Sequence, residues 1–542
     1  MPASAFSSPA AIPICVEGSK SVKYPNPGKA CFACNPAYQH LREWRPDPDN
    51  LKRQRTLVLC FDGTGDSFDQ DNSNVVQFLA MLMKDDPMKQ LVYYQAGIGT
   101  YTNNTLKTPI IDGVSKLWDK MFANNLSEHI KEGYTFLMQN YRSGDQICIF
   151  GFSRGAFTAR ALAGMLQKIG LLPPSNSEQL PFAYAMYERE DREGLKLSLQ
   201  FKRAFSVDVR VKFLGVWDTV ESVGLVSKYL PFCDSSNAIA HLRHAMALDE
   251  RRVKFIPSFC PGGKSKHQKI DSEVYEYEYH SNNLYVEDTD IEEVFFAGAH
   301  CDVGGGSVPN GERHSLARIP LRWMIRECFK VNTGIIFDTH MLKHEVGLDI
   351  DSILEAPQPL PSATLHLARH KPEGSFLRDI QVATTPALGS PVRRIWDMLS
   401  RAVFSQDTRP LEEFASKGES QEELHDALSP IYDQLKEHTG WKVVDWIPWI
   451  VGREGAELDG SGDFWIHRLV WNRGKGRVVY RRVMERGIKV HRSVRTRMLA
   501  RGKEGKNKPY LPKIRCMIDG EARRLTREEW LAEEPSYFEW VD

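Results

Sequence analysis

From Arg55 onward, short apolar runs alternate with longer stretches of helical spacing. TLVLCF, QLVYYQ, DQICIF, VKFLGVW and IEEVFF are each close to continuously apolar, and each leads into a polar or glycine-bearing loop. Such runs read as strands buried on both faces. Between them, VVQFLAMLM with Asn74 near its start, Leu126 to Asn140, Ala156 to Lys168 and Leu316 to Phe329 place apolar residues three and four apart, as amphipathic helices do. VKFIPSF reads as a further strand, and HLRHAMALDERR as helical. Strands alternating with helices predict an α/β fold, a mostly parallel sheet flanked by helices, whose ligands sit where strands end in loops.

The pattern also divides the chain. Residues 1–52, rich in Pro, Ser and Asn, read as an irregular leader, and 53–345 as the sheet domain. Residues 346–542 are expected to form a C-terminal elaboration or a second subdomain. They hold proline-rich loops over 354–425 and an aromatic, basic stretch over 439–498.

One strand-to-helix junction carries a chemical signal. In CIFGFSRGAFTARALAGML, Ser153 stands between Gly151 and Gly155. This is the spacing of a nucleophile elbow, where glycines permit close backbone approach and leave a hydroxyl at a helix N-terminus. A structural reading, a small residue in a tight turn, needs no chemistry. A nucleophilic serine needs a base, and the base an orienting acid. His300 ends the run EEVFFAGAH and opens the loop CDVGGGSVPN, which makes it the best-placed of the 16 histidines. His244 reads as structural, and His491 lies outside the sheet domain.

For the acid, Asp218 closes VKFLGVWD, at a strand's C-terminal end. Asp249 precedes VKFIPSF, and Asp302 follows His300 by two residues. Asp218 leads and the other two remain open. Oxyanion donors are expected from the Arg154 amide and from the Gly63–Thr64 part of the DGTG loop, with Asp62 holding that loop by accepting hydrogen bonds. The loop lacks both EF-hand spacing and a phosphate-loop motif.

Composition narrows the classes. The 542 residues are 42% apolar and 26% charged with a formal net charge of zero, which argues against a dedicated nucleic-acid binder. The start lacks the basic and apolar regions of a secretory signal, and no apolar run approaches membrane-spanning length. Ten cysteines form no dense framework, and the CxxC of Cys31 and Cys34 has no second pair at zinc spacing. A reduced, cytoplasmic chain is expected, with no metal and no cofactor. Trp441 to Ile450 and the basic run from Arg468 would suit transient contact with an anionic membrane surface, but packing of a second core is the favoured reading. The oligomeric state is not legible.

Taken in order, LVLCFDGTGDS, YYQAGIGT, ICIFGFSRGAFTARALAGML, FLGVWDTVESVG, HAMALDERRVKF and FFAGAHCDVGGG resemble the α/β-hydrolase family that includes the phospholipase effectors of bacterial type VI secretion. The resemblance covers about 55–345. GRVVYRRV and KVHRSVRTRM further resemble the distal region of fungal members. It implies an α/β-hydrolase-like sheet, Ser153 as nucleophile and a Ser-Asp-His triad with His300. The acid is carried over to Asp218 or Asp249. The expected activity is serine ester hydrolysis, of a phospholipid or other lipid ester. A small soluble ester or thioester is the rival substrate, and a non-catalytic scaffold the rival class.

Overall fold

The computed structural model describes residues 55–63, 71–97, 113–189, 191–220, 230, 238–260, 289–350, 353, 419–437, 439–446, 449–454, 465–485, 487–500, 509–532 and 535–542. The leader with Cys31 and Cys34, Thr64, and nearly all of the proline-rich stretch lie outside the described residues. Gln54–Asp542 form one compact unit.

Five apolar runs become strands: β1 (Thr56–Phe61), β2 (Gln90–Gln95), β3 (Gln146–Phe152), β4 (Val211–Trp217) and, later in the chain, β6 (Asp290–Phe296). Between β4 and β6 the expected helix is instead a strand, β5 (Ile239–Ala247), so His244 lies on a strand. IAHLRHAMA is rich in helix-compatible residues. Its backbone, however, pairs along its length with β4 on one side and β6 on the other, and that tertiary pairing outweighs local preference. Conversely, VKFIPSF is not a strand: residues 251–260 form turns with a single bridge from Pro257 to Val220. Proline has no amide to give to a central ladder.

Two further strands, β10 (Ile488–His491) and β13 (Phe538–Val541), come from the C-terminal region and extend the same sheet past β6. The eight strands run in the order β13-β10-β6-β5-β4-β3-β1-β2, and every pairing between neighbours is parallel. Five short strands form two small separate sheets: β7 (Trp449–Glu454) with β8 (Trp465–Val470), and β9 (Val478–Val479) with β11 (Arg515–Ile518) and β12 (Glu521–Arg523).

The sheet separates two cores. Val58, Cys60, Cys148, Phe150, Phe213 and Trp217 point to one face, under the helices Asn74–Ala80 and Arg318–Lys330. Leu57, Leu59, Ile147, Ile149 and Val216 point to the other, under Gly113–Asn140, Ser153–Ile169 and Leu180–Glu188. Burial on both faces is why these strands read as unbroken apolar runs. The result is a parallel, α/β-hydrolase-like sheet flanked by helices.

The helix Glu419–Leu428 is tied to this body by charge as well as packing. Its buried Asp426 lies 3.1 Å from Arg318 and 2.7 Å from Arg322. Burial pushes the Asp426 carboxyl up, but Arg318 and Arg322 outweigh it and hold it at about 2. Among the described residues no helix is long and apolar enough to cross a membrane.

Candidate active site

Strand order reverses between β1 and β3, since β2 lies on the far side of β1. Loops leaving the C-terminal ends of β1 and β3 therefore diverge, and the crevice between them is where open parallel sheets bind ligands. Asp62 and Gly63 follow β1, and Ser153 follows β3 directly.

β3 passes into the helix Ser153–Ile169 with no residue between, and Ser153 makes the turn with φ of 58°. That left-handed conformation is costly for a serine and is retained at functional turns. The flanking glycines are a packing requirement. A Cβ on Gly151 would lie 2.6 Å from the Gly155 carbonyl oxygen; one on Gly155 would lie 2.3 Å from the Asp62 oxygen and 2.4 Å from that of Phe61. The elbow is thus pressed against the end of β1.

Three side chains named from the sequence meet here. Ser153 Oγ is 2.8 Å from His300 Nε2, and His300 Nδ1 is 2.5 Å from Asp218 Oδ2. With the ring proton on Nδ1, the imidazole donates to the carboxylate and accepts from the hydroxyl. Asp218 follows β4 with φ of 41°, and His300 opens a short helix, His300–Gly304, four residues beyond the end of β6. All three are buried, with exposures of 4% for Ser153, 3% for His300 and 0% for Asp218. The imidazole packs between the Phe152 and Phe255 rings, each 4.7 Å away between centroids. Phe255 in turn carries Trp441 at 5.6 Å and the Arg252 guanidinium at 3.6 Å. Trp441 therefore packs on Phe255 and Arg252, while Trp446 is 60% exposed.

Burial pulls the Asp218 carboxyl upward, but Arg477 and the His300 bond outweigh it and hold the group below the ordinary range. Burial also lowers His300, against the opposing pull of Asp218, so the neutral imidazole is favoured. The histidine is held in the form that can accept a proton.

The other carboxylates hold backbone rather than imidazole. Three consecutive amides leading into His300 each meet a different buried acid. Gly298 N donates to Asp249 at 2.8 Å, Ala299 N to Asp302 at 2.8 Å, and His300 N to Glu250 at 3.2 Å. Asp249 also accepts from the Tyr510 hydroxyl at 2.7 Å and the Lys513 amide at 3.0 Å. Asp62 accepts from the Gly63 amide at 2.9 Å, Ser73 Oγ at 2.6 Å and the Tyr94 hydroxyl at 2.8 Å. Gly63 N–H is therefore engaged by Asp62 here. The Arg154 amide belongs to the first turn of the elbow helix. His244 accepts the Thr219 amide, next to Asp218, at 3.1 Å, and pairs with Glu293 at 2.9 Å. His491 stacks on Phe296 and contacts Ser493, apart from the array.

Asp302 gives a test of this cradle. Burial, reinforced by Asp249 and opposed by the Ala299 and Tyr432 amides, pushes its carboxyl up to about 7. A folded value above the unfolded one favours the fold at low pH, and that contribution is lost as pH rises through about 7. Asn resembles the protonated acid. Urea melts should therefore show Asp302→Asn gaining on native protein by about 2–3 kcal/mol between about pH 5 and about pH 8. A pH-independent difference would contradict a buried, proton-holding Asp302.

Sequence reasoning missed Arg477, Glu250, Arg252 and Phe255. Arg477 lies 259 positions from Asp218, so no local spacing links them. The fungal-like segment GRVVYRRV marked its neighbourhood without indicating a role.

Residues 55–327 match the family described as T6SS, Phospholipase effector Tle1-like, catalytic domain. The chain is 39% identical over 217 residues to the uncharacterized protein YEL023C of Saccharomyces cerevisiae, a match spanning 37% of this chain and about a third (32%) of that protein. Among solved structures, an uncharacterized protein from Pseudomonas aeruginosa is 15% identical with a TM-score of 0.30, covering 70% of this chain and 67% of its own. The Tle1 effector bound to the VgrG spike from the type 6 secretion system is 19% identical with a TM-score of 0.25, covering 48% of this chain and 52% of its own. By its match over half of its length, the chain belongs to the family of Tle1-like phospholipase effector catalytic domains.

Proposed function

We propose that this protein is a serine hydrolase that cleaves lipid carboxylic esters. The observation that carries the reading is the buried hydroxyl–imidazole–carboxylate array of Ser153, His300 and Asp218 at a strand-to-helix elbow. Membership of a phospholipase effector family supports a lipid substrate.

In this mechanism Ser153 Oγ attacks the ester carbonyl carbon while His300 Nε2 takes the hydroxyl proton. The carbonyl π pair moves to oxygen, which the Arg154 amide, in the first turn of the elbow helix, stabilises. As the tetrahedral intermediate collapses, the C–O bond to the alcohol breaks and His300 returns its proton to the leaving oxygen. Water, deprotonated by the same nitrogen, then attacks the acyl-enzyme and releases the carboxylic acid. Asp218 keeps the imidazole in the productive tautomer and stabilises its cation.

A fluorophosphonate probe tests the chemistry. Native protein should form one adduct, located by peptide mass spectrometry on Ser153, and should release fatty acid from phospholipid vesicles faster than acid from short soluble esters or thioesters. Absence of labelling under conditions where a known serine hydrolase reacts would overturn the enzyme reading. Release from short esters or thioesters alone would move the substrate to that smaller class.

A further inference from the structure

The Asp218 carboxylate is shared. Arg477 Nη1 donates to Oδ1 at 2.6 Å and Nη2 to Oδ2 at 2.8 Å, a two-point fork. Oδ1 also accepts the Ala247 amide at 2.9 Å, and Oδ2 meets His300. A carboxylate offers about four lone-pair directions, and here four donors occupy them. We propose that Arg477 is a positioning residue for the array: it fixes the carboxylate plane that His300 requires and offsets the negative charge facing the imidazole, so that the C-terminal region completes the site. The inference rests on the hydrolase reading above and extends it to a segment outside the matched residues 55–327.

The segment that delivers Arg477 is built for that purpose. Arg473, Gly474 and Gly476 turn the chain with φ of 50°, 66° and 89°. A Cβ at Gly476 would lie 2.8 Å from the Lys513 carbonyl oxygen, so a larger residue there would push the turn away. Buried Asp445 staples the turn to the site loop. It accepts from Asn472 Nδ2 at 2.8 Å, from the Gly474 amide, and from the Val253 amide at 3.0 Å. Arg477 Nε donates to the Phe255 carbonyl at 2.8 Å, the residue whose ring covers His300. Strand pairing holds the far side, with Arg515 N donating to the Arg477 carbonyl at 2.9 Å. The guanidinium thus reaches Asp218 as a rigid part of the fold.

Charge follows from position. A lone buried carboxylate beside an imidazole strongly favours the imidazolium. With Arg477 on both oxygens, the net charge facing His300 from this direction is near zero, and the ring remains a neutral base to lower pH. Among the described residues, the other charged or titratable groups around the pair include Glu250 and Arg252, from the loop after β5, Cys301 next to His300, and His244 on β5 with its neighbours Glu293 and Arg160. Glu250 and Arg252 pair with each other at 2.9 Å and largely cancel. His244 is buried, and burial, against the pull of Glu293, favours its neutral form. Arg477 is the cation in direct contact with Asp218.

The test uses the full chain with Arg477→Met and Arg477→Lys. Fluorophosphonate labelling rates are measured from about pH 4.5 to about pH 9, and the His300 ring protons are titrated by NMR. In Arg477→Met, labelling should slow by roughly 10- to 100-fold. Its acidic limb and the His300 titration should both move upward by about one pH unit. Arg477→Lys keeps the charge but loses the fork; its limb should stay within about 0.3 pH units of native while labelling slows several-fold. A Met limb coincident with the native one would reduce Arg477 to a structural role, whatever its effect on rate or melting temperature. If the Met variant does not fold, the Lys variant decides, and a native labelling rate there overturns the proposal. Failure of native protein to label at all would strike the hydrolase reading instead, leaving the NMR titration to judge Arg477.

Discussion

Ser153→Ala is expected to fold as the native protein does and to lose ester turnover by roughly 10⁵- to 10⁶-fold. Alanine meets the same left-handed backbone penalty as serine at φ of 58°, and the change deletes a single oxygen at a buried position. Lost with it is the hydroxyl 2.8 Å from His300 Nε2, which the proposed mechanism makes the attacking atom. Residual turnover would come from oxyanion donors acting on water, worth on the order of 10³ over solution in such sites. The check is steady-state hydrolysis alongside a thermal melt. More than about a hundredth of native activity in a folded Ser153→Ala sample would remove Ser153 from the chemistry.

Gly155→Ala should have the largest effect on stability, about 3–5 kcal/mol or outright loss of folding. The added carbon would stand 2.3 and 2.4 Å from the carbonyl oxygens of Asp62 and Phe61. Those atoms are backbone at the end of a central strand paired on both sides, so neither can yield as a side chain would. Gly311→Ala is the control: it has open space and no left-handed backbone, and should change stability by less than about 0.5 kcal/mol. Denaturant melts of the two variants separate them. Equal stability would mean that the elbow does not press on β1 as described.

Together these expectations separate two roles within GFSRG. Serine is dispensable to the fold and central to the proposed chemistry, whereas the glycine two residues on is required by geometry. A sequence motif compresses both, and only the distances reveal which residue serves which end.

Much of the architecture was legible because it is local. β1, β3 and β4 are buried on both faces nearly throughout, so their apolar runs are continuous and end where the loops begin, whereas the edge strand β2 and the first half of β6 are only partly buried. The elbow was legible for the same reason: strand, turn and helix are contiguous, and the glycines flank the serine in sequence as in space. β5 was misread because its residues favour a helix in isolation, and only its two neighbours make it a strand.

What the sequence by itself determined is the alternating α/β pattern, the strand-to-helix turn at Ser153, and the placing of Asp218 and His300 where apolar runs give way to loops. Tertiary structure alone decided which aspartate meets the imidazole, because Asp218, Asp249 and Asp302 differ by direction rather than by chemistry. It also decided that residues 488–491 and 538–541 extend the sheet and that Arg477 grips Asp218 across 259 positions. Hydrophobic periodicity and turn chemistry act over a few residues and are written in order along the chain. A fork between buried charges depends on where two distant loops arrive, which is set by the packing of every element between them.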